Sequence, residues 1–145
     1  MSIGRNIQET TYEIDNIQLE RVHNINDLGV TFDSNLKFHI HIYNIVGKAY
    51  NMLSFINRNF KNITTEVFIQ LYKTMVRSKL EYAHSVWNSY MKGDIEKLER
   101  VQMRTTKMIR GMKNISYVER LKLLQLPTLR YRRQRGDMIE YFKII

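Results

Sequence analysis

The spacing of apolar residues changes once along this chain, from a repeat of two to a repeat of about 3.6, and this change constrains the fold most strongly. In the stretch DLGVTFDSNLKFHIHI, residues 27–42, Leu28, Val30 and Phe32 alternate with polar or small residues. Such alternation is typical of a strand with one buried face. From Asn35 onward the helical repeat continues to the end of the chain. A strand element followed by a helical unit is therefore predicted.

Residues 1–34 are predicted to form the strand element, with short strands joined by tight turns. The alternation is already visible at residues 12–14. Asp15 and Asn16 both tolerate left-handed backbone conformations, so they predict a turn between the first two strands. Gly29 lies inside the last predicted strand and indicates a bulge or a close approach of another group to the backbone.

Five helices are predicted in residues 35–145, which form a compact helical unit. In chain order they span about Leu36 to Arg58, Thr64 to Tyr82, Gly93 to Gly111, Ser116 to Pro127, and Thr128 to the last residue. No linker rich in proline or glycine separates them. The predicted fold class is therefore α+β, mainly α, with a short hairpin element followed by a bundle of about five helices.

Local signals mark several helix ends. Asp33 or Ser34 is placed to cap the first helix, and Ser116-x-x-Glu119 is a capping box for the fourth. Gly136 lies inside the last helix, where it costs about 1 kcal/mol relative to alanine. A kink or a close contact with another helix is therefore predicted at that glycine.

The segment AHSVWNSY, residues 83–90, interrupts the helical repeat after the second helix. A lone tryptophan in such a segment anchors a core between helices more often than it forms a platform for a ligand. We therefore predict a structural role for Trp87.

Composition narrows the class of protein. The chain has no cysteine, which excludes disulfides and cysteine zinc sites and is compatible with a reducing compartment. No apolar run approaches the ~20 residues of a membrane-spanning helix, and MSIGRNIQET lacks the apolar segment of a signal peptide. An intracellular protein, cytoplasmic or nuclear, with no membrane partner is expected.

Positive charge is concentrated in the C-terminal part of the chain. Residues 1–60 contain five Lys/Arg and six Asp/Glu, whereas residues 61–145 contain eighteen and eight, a net charge of +10. Such an excess favours polyanionic partners, nucleic acid first, through counterion release and long-range attraction. The alternative is a helical surface that uses lysine and arginine only for solubility.

The third predicted helix carries basic residues at intervals of three or four, which places them in one stripe. They are Lys97, Arg100, Arg104, Lys107 and Arg110. Such a stripe suits contact with a nucleic-acid backbone. The alternative is a solvated face in which Glu96 pairs with Arg100.

The last predicted helix holds a second basic cluster, in which Tyr131 interrupts a run of arginines. Its arginines are Arg130, Arg132, Arg133 and Arg135. Nearby Asp137 and Glu140 cannot compensate all four charges, and arginine with interleaved tyrosine suits phosphate contact and stacking. The alternative is that some of these arginines pair with acidic residues of the strand element.

Residues suited to metal binding or catalysis form no recognisable motif. His39 and His41 would share a direction on a strand but diverge by ~200° on a helix, and no third ligand lies near them in sequence. A capping or packing role is therefore preferred to a zinc site. No phosphate-binding loop, nucleophile elbow or cluster of carboxylates for a two-metal site is present in the sequence.

The order of the segments resembles a known family. The matching stretches are YEIDNIQLERVHNINDLGVTFDSNLKFHIHI, KAYNMLSFINRNF, LYKTMVRSKLEYAHSVW, IEKLERVQMRTTKMIRG and YVERLKLLQLPTLRYRRQRGDMIEYFKI. Together they resemble the C-terminal third of reverse transcriptases encoded by non-LTR (LINE-like, jockey-type) retrotransposons. The similarity extends from about Tyr12 to the end of the chain.

The resemblance implies a partner and positions for its contacts. The segment at Leu28, Gly29 and Val30 matches the end of the palm, where the primer grip holds the primer 3′ end. The helices resemble the thumb and the region beyond it, which packs along a template–primer duplex of RNA and DNA. The candidate nucleic-acid-binding residues are Leu28, Gly29, Val30, Lys97, Arg100, Arg104, Lys107, Arg130, Arg132 and Arg133.

The sequence departs from the family at the catalytic centre. The aromatic-Ala-Asp-Asp motif and the further aspartate that bind Mg²⁺ in the family have no counterpart here. We therefore expect a truncated polymerase fragment without catalysis, cofactor or metal of its own, which retains duplex binding at most. Contact with the missing palm and fingers, or self-association, is expected. The alternative is a helical protein-interaction or structural domain.

Overall fold

The structure is a computed structural model that describes residues 1–4 and 10–145, so residues 5–9 of the predicted strand element lie outside it. The strands are β1 (Glu13–Ile14), β2 (Ile17–Gln18), β3 (Asn24–Asp27) and β4 (Val30–Asp33). The helices are α1 (His39–Asn59), α2 (Thr65–Leu71), a π-helical segment (Tyr72–Arg77), α3 (Ser78–Glu81), α4 (His84–Trp87), α5 (Lys92–Met108), α6 (Tyr117–Leu123) and α7 (Leu129–Ile144). The predicted fold class, α+β and mainly α, is confirmed.

The strands form two separate antiparallel hairpins, β1 with β2 and β3 with β4. The predicted turn at Asp15 and Asn16 is confirmed, since these residues have φ angles of 51° and 62° between β1 and β2. Positive φ at both central residues matches the right-handed twist of the flanking strands.

The prediction that a strand runs from Leu28 through Gly29 is wrong. Leu28 and Gly29, with φ angles of 46° and 80°, form the two-residue turn between β3 and β4. Alternation of apolar residues does not reveal where a chain reverses, and a turn with two positive φ angles favours glycine. The Tyr82 ring would lie 3.6 Å from a Cβ at residue 29, which is an ordinary contact distance, so the positive φ angle and not a close approach favours glycine here.

The start of α1 differs from the predicted start by three residues. Leu36 and Phe38 have φ angles of 53° and 59°, so the chain turns twice before the helix begins at His39. The Asp33 carboxylate stabilises this connection by accepting backbone N–H groups of Asn35, Lys37 and Phe38 at 2.7 to 3.1 Å. Asp33 therefore organises the loop before the helix and does not occupy the helix N-cap.

The core lies where α1 packs against α5 and the α2–α3 stretch. The apolar stripe of α1 is buried as its 3.6-residue repeat predicts, with Ile42, Ala49 and Leu53 shielded from water. The second predicted helix is present from Thr65 to Glu81, although its middle is π-helical. Val67, in the first turn of α2, is exposed.

The segment 83–90 contains an additional short helix, α4, that the sequence did not predict. Ala83 adopts a left-handed φ of 50°, and this reversal separates α4 from α3. Trp87 is fully buried, and its indole N–H donates to the Tyr82 carbonyl at 2.6 Å. The predicted role of Trp87 as a core anchor is confirmed.

The last two helices begin as predicted. Ser116 and Glu119 form the capping box of α6, and Thr128 caps α7 by accepting the N–H of Tyr131. The predicted close contact at Gly136 is also confirmed, because α7 passes so near α4 that a Cβ there would lie 2.8 Å from Cε1 of His84.

A buried hydrogen-bond network connects these elements. The Gln102 side chain accepts the Tyr72 hydroxyl at 2.7 Å and donates to the Tyr117 hydroxyl and the Pro127 carbonyl. Tyr117 in turn donates to Glu99. Buried polar groups are stable only when such partners are present, so this network determines how α6 and α7 meet α5.

In the part of the chain that the structure describes, no helix combines the length and the apolar character required to cross a membrane.

We predict that Gly136→Ala destabilises the protein by about 1–3 kcal/mol, the usual cost of overpacking a filled site. The new methyl group collides with the His84 ring, which would have to leave its contacts with Asp137 and the Glu81 carbonyl. Urea denaturation measures the change in the free energy of unfolding.

The control is Gly47→Ala in the middle of α1, where a Cβ meets nothing within 4 Å. It should stabilise the protein by up to about 1 kcal/mol through helix propensity. Equal effects of the two substitutions would contradict the close contact between α7 and α4.

We predict that Asp33→Asn destabilises the protein by about 1 kcal/mol at pH 7. Burial raises the pKa of the Asp33 carboxyl. The hydrogen bonds from the backbone N–H groups of Lys37, Phe38 and Asn35 together lower it by more than burial raises it, so the net shift is downward. Because the pKa is lowered in the folded state, the Asp33 carboxylate stabilises the fold fully above the unfolded-state pKa of about 3.9. This stabilisation is lost as the pH falls through the folded-state pKa.

Urea denaturation at pH 7 and at about pH 3 tests this pH dependence. The difference between wild type and Asp33→Asn should shrink at the lower pH. Asp27→Asn, at an exposed position of β3, is the control, and a difference independent of pH would exclude the proposed role of the carboxylate.

Candidate nucleic-acid interface

The predicted basic stripe forms an exposed surface along α5, which we call the α5 basic face. Its exposed members are Lys97, Arg100, Arg104 and Lys107 on α5, together with Arg110, two residues past the end of the helix. The inward side of the same helix buries Leu98, Val101 and Thr105, so the basic residues face away from the core. Two of them have local partners, since Lys97 contacts Asp94 at 3.1 Å and Arg100 contacts Glu96 at 3.8 Å.

A groove of about 530 Å³ lies between the β3–β4 hairpin and α1. The hairpin contributes Gly29 and Thr31, and α1 contributes Tyr43, Gly47 and Tyr50. Amide and hydroxyl groups therefore line much of the groove. Because Gly47 has no side chain and a Cβ there would meet nothing within 4 Å, the helix backbone is open to close approach at that point.

Tyr50 connects the groove to the α5 basic face. Its ring lines the groove, and the Arg104 guanidinium lies over the same ring at 5.4 Å. Gly29 and Arg104, which are 75 positions apart in sequence, therefore border one continuous surface through α1. The structure brings these two parts of the predicted site together.

The three residues of the predicted grip have different environments. Leu28 is 83% exposed at the tip of the hairpin, whereas Val30 is only 3% exposed and packs in the core. The Tyr82 hydroxyl donates to the Leu28 carbonyl at 3.0 Å, so the turn is held against the segment that follows α3. Leu28 and Gly29 are accessible to a partner, whereas Val30 anchors the turn by packing in the core.

The two histidines have structural roles. The buried His41 accepts the Thr31 N–H at Nδ1, packs on the Trp87 ring, and has its pKa lowered by desolvation. His41 therefore holds the β3–β4 hairpin against α1, which agrees with the packing role predicted for it. His39 contacts the buried Asp94 at 2.5 Å. Among the described residues, no three or more His, Cys, Asp or Glu side chains are placed to hold a metal ion.

The arginines of α7 divide between two sides of the helix. Arg130 is exposed and, together with Arg100, lines a groove of about 460 Å³ between α5 and α7. Arg132 instead makes a bidentate ion pair with Glu81 at 2.5 and 3.0 Å, and Arg133 is buried. Arg130 therefore adjoins the α5 basic face, whereas Arg132 and Arg133 face α3 and α4.

The alternative that Arg132 pairs with the strand element is wrong, because its carboxylate partner is on α3. Hydrogen bonding to Glu81 raises the pKa of Arg132, whereas desolvation lowers the pKa of Arg77 and of Arg133. All three stay cationic at neutral pH because the ordinary arginine pKa is above 12.

Sequence reasoning missed the contribution of α1. Tyr43, Gly47 and Tyr50 are spaced at i, i+4 and i+7, which places them on one face, beside the apolar stripe. Two tyrosines and a mid-helix glycine on an outward face were the available signal. Their proximity to Gly29 depends on how the hairpin packs, which no local pattern encodes.

Comparison with protein-family models, curated proteins and solved structures finds no match to this chain. Its function is therefore inferred from the geometry of the described surfaces and from the resemblance noted in the sequence.

We predict that Glu81→Gln destabilises the protein by about 1–2 kcal/mol, since it removes the charged acceptor of Arg132. Arg77, at 3.8 Å from the same carboxylate, loses its partner too. Glu96→Gln is the matched control, because its pair with Arg100 is exposed and such pairs contribute about 0.2–1 kcal/mol. Guanidinium denaturation of both variants compares the two sites, and equal small losses would contradict the importance of Glu81.

Proposed function

We propose that this chain binds a nucleic-acid duplex, as the primer-grip and thumb part of a polymerase of the non-LTR reverse-transcriptase type. The observation that supports this most is the continuous surface formed by the β3–β4 turn, the α1 groove and the α5 basic face. It combines exposed cations with hydroxyl and amide groups, which suits contact with phosphates and sugar edges.

The charges have a spacing that suits a duplex backbone. Lys97 and Lys107 are ten residues apart on α5, which is about 15 Å at a rise of 1.5 Å per residue. That length corresponds to about four nucleotides at 3.4 Å per base-pair step. Several phosphates can therefore lie along the face at once.

The α1 groove supplies most of the uncharged part of the proposed interface, with Lys48 as a cation in its lining. Tyr43 is exposed at its rim, and Gly47 leaves room beside it. An interface with cations on one side and hydroxyl groups on the other holds a backbone without reading base sequence. We therefore propose binding that depends on duplex shape and charge, with little sequence preference.

No catalytic step is assigned to this chain. In the family that the sequence resembles, the aspartates that hold Mg²⁺ belong to a catalytic motif that has no counterpart among these residues. The proposed role is to hold a template–primer duplex of RNA and DNA for a catalytic centre located elsewhere.

We predict that the double variant Arg104→Glu/Lys107→Glu binds an RNA–DNA hybrid at least tenfold more weakly than wild type. It should also reduce the slope of log K against log salt by about 2, because two phosphate contacts are lost. Fluorescence anisotropy at several salt concentrations measures both quantities.

The control is Lys79→Glu/Lys122→Glu, which makes the same change in net charge at exposed positions of α3 and α6. Equal weakening by the two double variants would mean that net charge alone, and not the α5 basic face, attracts the duplex. Wild-type affinity no greater than that of a neutral control protein at low salt would contradict the proposed function.

A second candidate function is protein interaction, and the C-terminal end of α7 favours it. Large apolar side chains there are exposed, namely Met138, Ile139, Tyr141, Phe142, Ile144 and Ile145. Contiguous exposed apolar residues are typical of docking surfaces. Size-exclusion chromatography with light scattering separates the two functions. A stable oligomer without duplex binding favours interaction, and a monomer that binds the hybrid favours the proposed function.

A further inference from the structure

Two arginines are buried in the part of the chain that the structure describes, and they differ in how their guanidinium groups are satisfied. Arg120, 4% exposed, donates to the Thr106 hydroxyl and to the carbonyls of Ile115 and Met103. Arg133, 3% exposed, has a guanidinium nitrogen, Nη1, that is shielded from water and lacks a hydrogen-bond partner in the described structure. A buried donor without an acceptor is unfavourable, so Arg133 calls for an acceptor that the described residues do not provide.

Arg133 lines a pocket of about 250 Å³ between α7 and the α3–α4 region. Arg132 and Arg135 line the same pocket, with Glu81 as the acidic lining residue and Tyr131 at its side. Three arginines against one glutamate leave the lining with a net positive charge. The volume suits a single small anion and is too small for a peptide or a base-paired strand.

The carboxylates near Arg133 form their hydrogen bonds with other residues. Both oxygens of Glu81 accept hydrogen bonds from Arg132. Glu99 accepts from the Tyr117 hydroxyl and from the first N–H groups of α7. Asp137 accepts from Asn88 at Oδ2, whereas its Oδ1 lies 3.5 Å from His84 Nε2 and has no hydrogen-bond partner among the described residues. None of these carboxylates forms a hydrogen bond with Nη1 of Arg133.

We propose that this pocket, which we call the Arg133 pocket, binds a phosphate group. A phosphate presents several anionic oxygens, which can accept from Arg133 and from the neighbouring arginines at once, and guanidinium groups match its geometry. The Arg133 pocket uses residues of α3, α4 and α7, so it is separate from the α5 basic face and extends beyond the proposed function.

Thermal unfolding of the full chain in inorganic phosphate, with ionic strength held constant by chloride, tests the proposal. The Tm should rise by about 5–10 °C once phosphate exceeds its Kd about a hundredfold, because a ligand bound only to the folded state stabilises it. Arg133→Met, which keeps an unbranched apolar stem, should abolish the rise. Lys122→Gln on α6 is the control for loss of one positive charge and should retain it.

Arg135→Gln provides a second variant at an exposed residue of the pocket, where the fold is not at risk. It should weaken phosphate binding severalfold. If Arg133→Met does not fold, Arg135→Gln tests the proposal instead. An unchanged Kd for phosphate in Arg135→Gln would then overturn it. A Tm rise of equal size in wild type and Arg133→Met, or no rise above the chloride control, would overturn it as well.

A pair of oligonucleotide duplexes, identical except for a 5′-phosphate or a 5′-hydroxyl, identifies the source of the phosphate. Tighter binding of the phosphorylated duplex, lost in Arg133→Met, supports a terminal phosphate as the occupant. A response to inorganic phosphate with equal affinity for the two duplexes supports a free anion. Arg104→Glu/Lys107→Glu should keep the response to inorganic phosphate, so failure of the proposed function and failure of the Arg133 pocket are distinguishable.

Discussion

The buried amide of Gln102 is the interaction on which the helical unit depends. It accepts the hydroxyl of Tyr72 from the π-helical segment, and it donates to Tyr117 of α6 and to the carbonyl of Pro127. Burial raises the pKa of both tyrosines, so their hydroxyls remain neutral donors. Because each group is satisfied by the others, replacement of one leaves its partners unpaired in the core.

The same network determines where the arginines of α7 lie. Glu99 accepts the Tyr117 hydroxyl and also the N–H groups of Leu129 and Arg130, which fixes the start of α7 against α5. From that start, Arg130 lies exposed beside α5, while Arg133, nearly one turn further on, is buried and lines the pocket with Glu81 and His84. The buried hydrogen-bond network thus fixes the position of α7, and with it the positions of Arg130 beside the α5 basic face and of Arg133 in its pocket.

Much of the local structure was predictable because its signals are local. The turn at Asp15 and Asn16, the capping box at Ser116 and the close contact at Gly136 each follow from the chemistry of one or two residues. The turn at Leu28 was misread as strand, since a two-residue turn does not interrupt the alternation of apolar residues. The predicted start of α1 was also wrong, because the positive φ angle at Phe38 has no signal in the sequence.

The sequence by itself predicted the five main helical segments, without α4, and the shared face of Lys97, Arg100, Arg104 and Lys107 on α5, because helical spacing alone sets their directions. Only the tertiary structure decided which surfaces adjoin. The packing of α1 brought Tyr50 under Arg104 and beside the hairpin, and the approach of α7 to α4 buried Arg133 near carboxylates whose hydrogen bonds are with other residues. Such contacts join residues far apart in the chain, so they depend on how whole elements pack and not on the residues around each one.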